Sequence, residues 1–193
     1  MITTEQIKEL RDQTGVSIMQ CKKALEEAGG DAEKALIILR KKSSEIAAKK
    51  TDRTLGAGAV ASYLHSTGTV GAMVLLSSEK NFVSKNEEFR KLAYEIAMHV
   101  AATNPEFLSV ADIPEKIKTQ AAEVFEADTK GKPEDLKATI LEGKISAYFK
   151  DRVLLQQSYI KNPDITIQGL VDGAIQKFGE RIEVTKFVRF STS

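Results

Sequence analysis

Side chains able to carry covalent or metal chemistry are few and widely spaced in this chain. It has two histidines, His65 and His99, and one cysteine, Cys21. Neither the H-E-x-x-H arrangement nor a pair of closely spaced cysteines occurs, so no zinc site is encoded locally. The phosphate-cradling patterns G-x-x-x-x-G-K and G-x-G-x-x-G are missing as well. Gly56-Ala57-Gly58 is only G-x-G and precedes a strand-like run rather than a helix. His99 falls one heptad after Leu92, beside an apolar helical stripe, which suits a packed or surface histidine better than a ligand. Cys21 stands at helical spacing between Ile18 and Leu25, with Lys22 and Lys23 but no histidine nearby. It reads as a small buried core side chain. No nucleophile has a base beside it, and the carboxylates are spaced as on helix surfaces. Sites can assemble from distant residues, so catalysis is not excluded, but the balance favours a protein that works by binding. No cofactor or metal is expected.

The stretch with the sharpest character is Met73 to Asn86, MVLLSSEKNFVSKN. Met73-Val74-Leu75-Leu76 is short and apolar enough for a buried strand. Polar residues follow, and Ser84 with Glu87 forms an S-x-x-E pair suited to a helix start. Between strand and helix sits one aromatic, Phe82. Such a ring is either the lid of its own core or a probe for a partner, and packing alone favours the core.

The elements around it can be read from spacing. Thr3 or Thr4 can cap a helix carrying Ile7 and Leu10, and Gly15 breaks it. Ser17 can cap a second helix, ending at Gly29-Gly30, and Asp31 a third with Ala35, Ile38 and Leu39 on its apolar face. Residues 40–53 carry six Lys/Arg against two acids and read as a solvated helical linker. Residues 59–64 and 69–76 predict a hairpin about Ser66-Thr67-Gly68. Apolar residues from Phe89 to Val100 predict a helix that Asn104-Pro105 stops. Two helices after Pro114 and Pro133, separated by Gly131, suggest a helical hairpin around residues 114–155. Gly143 weakens its second helix. Residues 157–163 read as a loop, and Thr166 as the cap of a helix ending at Gly179. A last strand alternates through Val184, pauses, and resumes at Val188 and Phe190.

These segments predict an α+β protein: an N-terminal helical bundle and linker helix over residues 1–53, then a core over 54–193. In the core, a small antiparallel sheet packs with helices and a helical hairpin. A net charge of +1 gives no basic field that would argue for direct nucleic-acid binding. No apolar run is long enough to span a bilayer, and residues 1–10 lack an apolar signal-peptide region, so a cytoplasmic protein is expected. A single cysteine fits that compartment.

Several groups of residues resemble one family. Arg11, Thr14-Gly15 and Met19-Gln20-Cys21-Lys22-Lys23-Ala24-Leu25 look like the N-terminal signature of translation elongation factor Ts. Asn81-Phe82-Val83-Ser84-Lys85-Asn86 is similar to its T-D-F-V-[AS]-[KR]-[DN] motif. Ala97-Met98-His99-Val100-Ala101-Ala102 with Asn104-Pro105, Glu142-Gly143-Lys144 and Phe187-Val188-Arg189-Phe190 agree in order along nearly the whole chain. The length resembles the short form, with one core unit instead of two related halves.

The resemblance implies a ubiquitin-associated-like N-terminal bundle and a guanine-nucleotide exchange factor for elongation factor Tu, without bond-making chemistry. It implies that Phe82, flanked by Asn81 and Val83, inserts near the partner's nucleotide and magnesium site. His99 would touch the partner too, and Val16, Ile18, Met19 and Lys23 would contact its GTPase domain. The motif departs from the family at Lys80-Asn81, where T-D is expected: a capping hydroxyl and a negative charge are both lost. A homodimer is a further expectation, since two copies could contact one partner from both sides. The alternative reading is a helical adaptor that binds another protein or RNA through the bundle and basic linker.

Overall fold

The computed structural model describes residues 2–129 and 133–192. Helix α1 (Thr4–Thr14) opens with a reciprocal cap. The Thr3 hydroxyl accepts the Gln6 N–H at 3.2 Å and the Gln6 side chain accepts the Thr3 N–H at 2.9 Å. It ends at Gly15, whose φ of 68° suits glycine and whose N–H returns to the Arg11 carbonyl. Ser17 caps α2 (Ile18–Glu27), and Asp31 caps α3 (Ala32–Ala48) by accepting the Lys34 N–H at 3.1 Å. Leu10, Val16, Cys21, Leu25, Ala35 and Leu39 close a small core among these three helices.

The basic stretch 40–53 is not the freely solvated linker that its charge predicts. Helix α3 continues through it to Ala48, and its other side packs. Ser43 is buried, and Ile46 and Ala47 lie against the main core. With Leu39 they extend a second stripe at helical spacing, while Arg40, Lys41 and Lys49 keep to solvent.

Strands β1 (Ala57–Leu64) and β2 (Val70–Ser78) form the expected hairpin, longer than predicted at both outer ends. A four-residue helix, α4 (Asn81–Ser84), follows, then α5 (Glu87–Thr103). Ser84 does not cap α5. It is the buried last residue of α4 and donates to the Asn81 carbonyl at 3.0 Å. Asn86 holds the extended backbone of a cap, and its carboxamide oxygen accepts the Glu88 N–H at 2.8 Å. Asn104, at φ 49°, terminates α5.

Helices α6 (Glu115–Glu126) and α7 (Glu134–Lys150) pack on each other around Ala121, Phe125, Ile145 and Phe149, a core separate from the main one. Gly131, the predicted break between them, lies outside the described residues. Nothing stands within 4 Å of where a Cβ on Gly143 would be, so packing does not require that glycine. The chain leaves α7 at Lys150 instead of running on helically, and Leu154 enters the main core from a short 3-10 turn. Residues 157–163 are not simple loop. Strands β3 (Ser158–Tyr159) and β4 (Asn162–Thr166) pair antiparallel. Thr166 then caps α8 (Ile167–Phe178), which ends at Gly179, and β5 (Ile182–Ser191) closes the chain.

The architecture is α+β. The sheet has the order β1-β2-β5, antiparallel throughout. Its inner face, with Ala72, Val74, Leu76 and Val184, packs on Phe89, Ile96 and Val100 of α5 and on α8. The pause in the β5 pattern is a bulge. Leu75 faces Lys186 and Leu76 faces Val184, which leaves Thr185 as the extra residue. One extra residue inverts the parity of all that follow. Ile182 and Val184 therefore point into the core, and Val188 and Phe190 point away from it, 40% and 69% exposed.

Candidate partner-binding site

The predicted site residues separate into those that project and those that support them. At the start of α2, the Ser17 hydroxyl accepts the Gln20 N–H, and Val16 is buried beneath, its carbonyl accepting the Cys21 thiol at 3.6 Å. Burial pushes the Cys21 thiol above its ordinary value despite its hydrogen bond with Thr14, so it is no nucleophile. Ile18 and Met19 point outward, 59% and 66% exposed. Lys23 is exposed one turn on, beside a shallow cavity of about 180 Å³ shared with Lys42 and Lys49. Val16 is thus footing, not surface: its burial gives a partner nothing to touch.

The second projection is Phe82. The core reading of this ring is overturned by its 66% exposure. Its neighbours in α4 are buried: Val83 is 1% exposed and Ser84 6%. Val83, expected at the contact, is in fact what seats the turn on the sheet and α5. Asn81 is exposed beside Phe82 and borders a groove with Ser84, Lys85, Arg90 and the edge strand β1.

Lys80 is the N-cap of α4, with no side-chain cap of its own. Its backbone is held from elsewhere. The Lys80 N–H donates to Glu180 Oε2 at 3.1 Å, and the Ser78 hydroxyl donates to the Lys80 carbonyl at 3.3 Å. In the reverse sense, Glu79 Oε1 accepts the Arg181 N–H at 2.6 Å. Glu79 also pairs with Arg53 at 3.2 Å, and Arg181 donates to the Arg53 carbonyl. Shielding pushes the Glu79 carboxyl up, but the Arg181 N–H and the Arg53 guanidinium outweigh it and hold the group below the ordinary carboxylate range. Sequence reading missed Glu79, Glu180, Arg53 and Arg181. Glu79, Glu180 and Arg181 are marked locally only by position, immediately before the motif or after the α8 glycine, and Arg53 only as the last residue of the basic stretch.

His99 is corrected from a contact residue to an internal one. It has no exposed surface. The Ile160 N–H donates to Nδ1 at 3.4 Å, so Nε2 carries the proton and donates to Gln157 Oε1 at 2.8 Å. Gln157 Oε1 also accepts the Thr103 hydroxyl at 2.9 Å. Burial lowers the His99 pKa against the opposing Gln157 bond, which keeps the ring neutral. The side chain ties α5 to the β3–β4 segment and cannot reach a partner in this conformation.

Among the described residues no group of three or more His, Cys, Asp or Glu side chains is placed to hold a metal. None of their helices is long and apolar enough to cross a membrane.

The sequence profile of the family described as Elongation factor TS matches residues 5–193. The chain belongs to the elongation factor Ts family. It is 43% identical over 192 residues to the Elongation factor Ts of Carboxydothermus hydrogenoformans, covering 98% of this chain and 88% of the relative. It is 44% identical over 190 residues to that of Thermodesulfovibrio yellowstonii, covering 98% and 95%. It is 42% identical over 193 residues to that of Thermosipho melanesiensis, covering 99% and 98%. As an elongation factor Ts family chain, it is a translation elongation factor by descent.

Proposed function

We propose that this chain is a guanine-nucleotide exchange factor that promotes GDP release from elongation factor Tu in the cytoplasm. Phe82 inserts near the partner's magnesium and phosphate site. The observation that carries the reading is the ring itself: a large apolar side chain, two-thirds exposed, on a turn whose next two residues are buried. An apolar ring held in water by a seated turn is suited to burial against a partner.

The mechanism is linkage. A protein that binds the nucleotide-free partner more tightly than the nucleotide-bound one lowers nucleotide affinity by the same ratio. Displacing the backbone that cradles the phosphates weakens charge-assisted contacts, and each ~1.4 kcal/mol lost is about tenfold in affinity. No bond is made or broken, so the chain is not an enzyme in the chemical sense. Residues 1–53 supply the docking surface, through Ile18, Met19 and Lys23, and residues 54–193 supply the wedge. Val16 and Val83 act from beneath, and His99 acts by holding α5. No membrane or direct nucleic-acid contact is required. The test is stopped-flow release of a fluorescent GDP from elongation factor Tu with and without the chain. Acceleration is expected; its absence, with binding intact, would overturn the reading.

A homodimer is part of the same proposal. The outer sheet face is apolar across all three strands, with Val60 and Leu64 on β1, Met73 on β2, and Val188 and Phe190 on β5 all exposed. Leu64, Gly71 and Phe190 are register partners, as are Met73 and Val188. A monomer rarely leaves such a face to water. A second copy offers a matching apolar face. Light scattering at working concentration should give twice the chain mass, and Leu64→Asp should halve it; a wild-type monomer would remove the idea.

A further inference from the structure

The Phe82 turn is a helix too short to hold itself. Helix α4 spans four residues, and the orphan N–H groups of its start receive nothing from the Lys80 side chain. Besides the seating by Val83 and the Ser78 bond to the Lys80 carbonyl, its start is held from about a hundred residues away. The Glu180 carboxylate accepts the Lys80 N–H, and Glu79 returns a bond to the Arg181 N–H, so the two turns clasp each other in both directions.

Glu180 is poorly explained by stability alone. It is only 5% exposed, and its Oε1 has no hydrogen-bond partner among the described residues. A buried carboxylate with one oxygen unsatisfied costs the fold free energy. Such a cost in a native structure points to a positional duty, and the bond it does make falls on the residue two before Phe82.

We propose that Glu180 is a positioning residue for the exchange wedge: its carboxylate holds the N–H of Lys80, the N-cap residue of α4, and thereby fixes the direction in which Phe82 projects. The proposal rests on the wedge role given to Phe82 above. Without the clasp, α4 frays, the ring samples many directions, and insertion slows. Docking through Ile18 and Met19 stays intact, because that patch has its own cap at Ser17 and its own core.

The test uses the full chain and elongation factor Tu loaded with fluorescent GDP. Glu180→Ala should lower the maximal exchange rate about fivefold to tenfold, with the half-saturating concentration unchanged within about twofold. Glu180→Gln, whose amide oxygen can still accept the Lys80 N–H, should stay within about twofold of wild type. Amide hydrogen exchange should quicken at residues 81–85 in Glu180→Ala while the sheet stays protected. Should Glu180→Ala unfold, Glu180→Asp keeps the charge but is one methylene short, and should show the same rate loss in a folded chain. Full exchange by Glu180→Ala or Glu180→Asp would overturn the proposal, as would equal loss in Glu180→Gln. Phe82→Ala is run alongside. If it leaves exchange intact, the wedge reading fails, and amide exchange at 81–85 still decides whether the clasp exists.

Discussion

Two of the exposed apolar sites, at the start of α2 and on α4, are held in opposite ways. Ile18 and Met19 stand on the first turn of a ten-residue helix, capped one residue earlier and seated on Val16, Cys21 and Leu25. Everything that positions them lies within a short segment of chain. Phe82 stands on a four-residue helix with no side-chain cap, and its alignment depends on Glu180, Arg181 and Arg53. The bundle patch is a surface built locally. The Phe82 turn is a surface assembled by the tertiary fold, so its orientation can be lost without loss of the fold. This division matches the proposed function, in which the bundle docks and Phe82 wedges.

The largest expected effect separates the wedge from its seat. Phe82→Ala should slow maximal GDP release at least about tenfold, the range of an interface hot spot, while changing stability by less than about 0.5 kcal/mol because the ring is exposed. Val83→Ala, one residue on and buried, should behave in the opposite order. It should cost about 1–3 kcal/mol of folding stability and lower exchange only in proportion to the unfolded fraction. Denaturant melts paired with stopped-flow rates check both. Equal losses of stability and activity in Phe82→Ala would return the ring to the core.

The bundle patch should fail in the other kinetic parameter. Replacing both Ile18 and Met19 with alanine should raise the half-saturating concentration about threefold to tenfold, with the maximal rate within about twofold. A fall in the maximal rate instead would mean that docking and wedging are one event, and the contrast between the two regions would collapse.

How much of this could be read in the sequence follows the same contrast. The Ser17, Asp31 and Thr166 caps, a first cap narrowed to Thr3 or Thr4, and the glycine stops at Gly15 and Gly179 were legible because capping is decided within a few residues. The α+β architecture and the β1–β2 hairpin followed from periodicity. The exposure of Phe82 was not legible from packing rules. Its segment lies against the sheet, and only the fold decides that Val83, not Phe82, faces inward. The packing of α3 on the main core was hidden because charge on one side of a helix says nothing about Ser43, Ile46 and Ala47 on the other. The reversal of Val188 and Phe190 was hidden because a bulge at Thr185 has no strong local code. Burial of His99 was half legible from its place by the apolar stripe. Its partner Gln157 lies 58 residues away and could not be seen.

His99 gives a smaller effect, through pH. Its pKa is lowered in the fold, so below the ordinary histidine value near 6.5 the unfolded chain takes up a proton that the native chain resists. Stability is therefore full above about pH 6.5 and falls as the pH drops towards the native value. The loss at pH 6 should be at most about 0.8 kcal/mol for one group. His99→Gln should remove this part of the slope in melts between pH 7 and 5.5. An unchanged slope would mean that the ring is not held neutral by its site.

The smallest expected effect concerns Asn81, where the family motif carries a carboxylate. Asn81→Asp places a charge at the first residue of α4, beside Phe82 and facing the groove that Lys85 and Arg90 line. The helix-end term favours the acid, but it is weaker on one turn than the ~0.3–1 kcal/mol of a full helix. The stability gain should therefore be less than about 0.5 kcal/mol. Exchange should rise by no more than about twofold at low salt, and the gain should fade near 0.5 M salt, where screening shortens to a few ångströms. A large salt-sensitive gain would show that this chain lacks an electrostatic half of the wedge. A gain within twofold would show that seating the ring is the dominant demand, which is the demand that the turn's distant clasp meets.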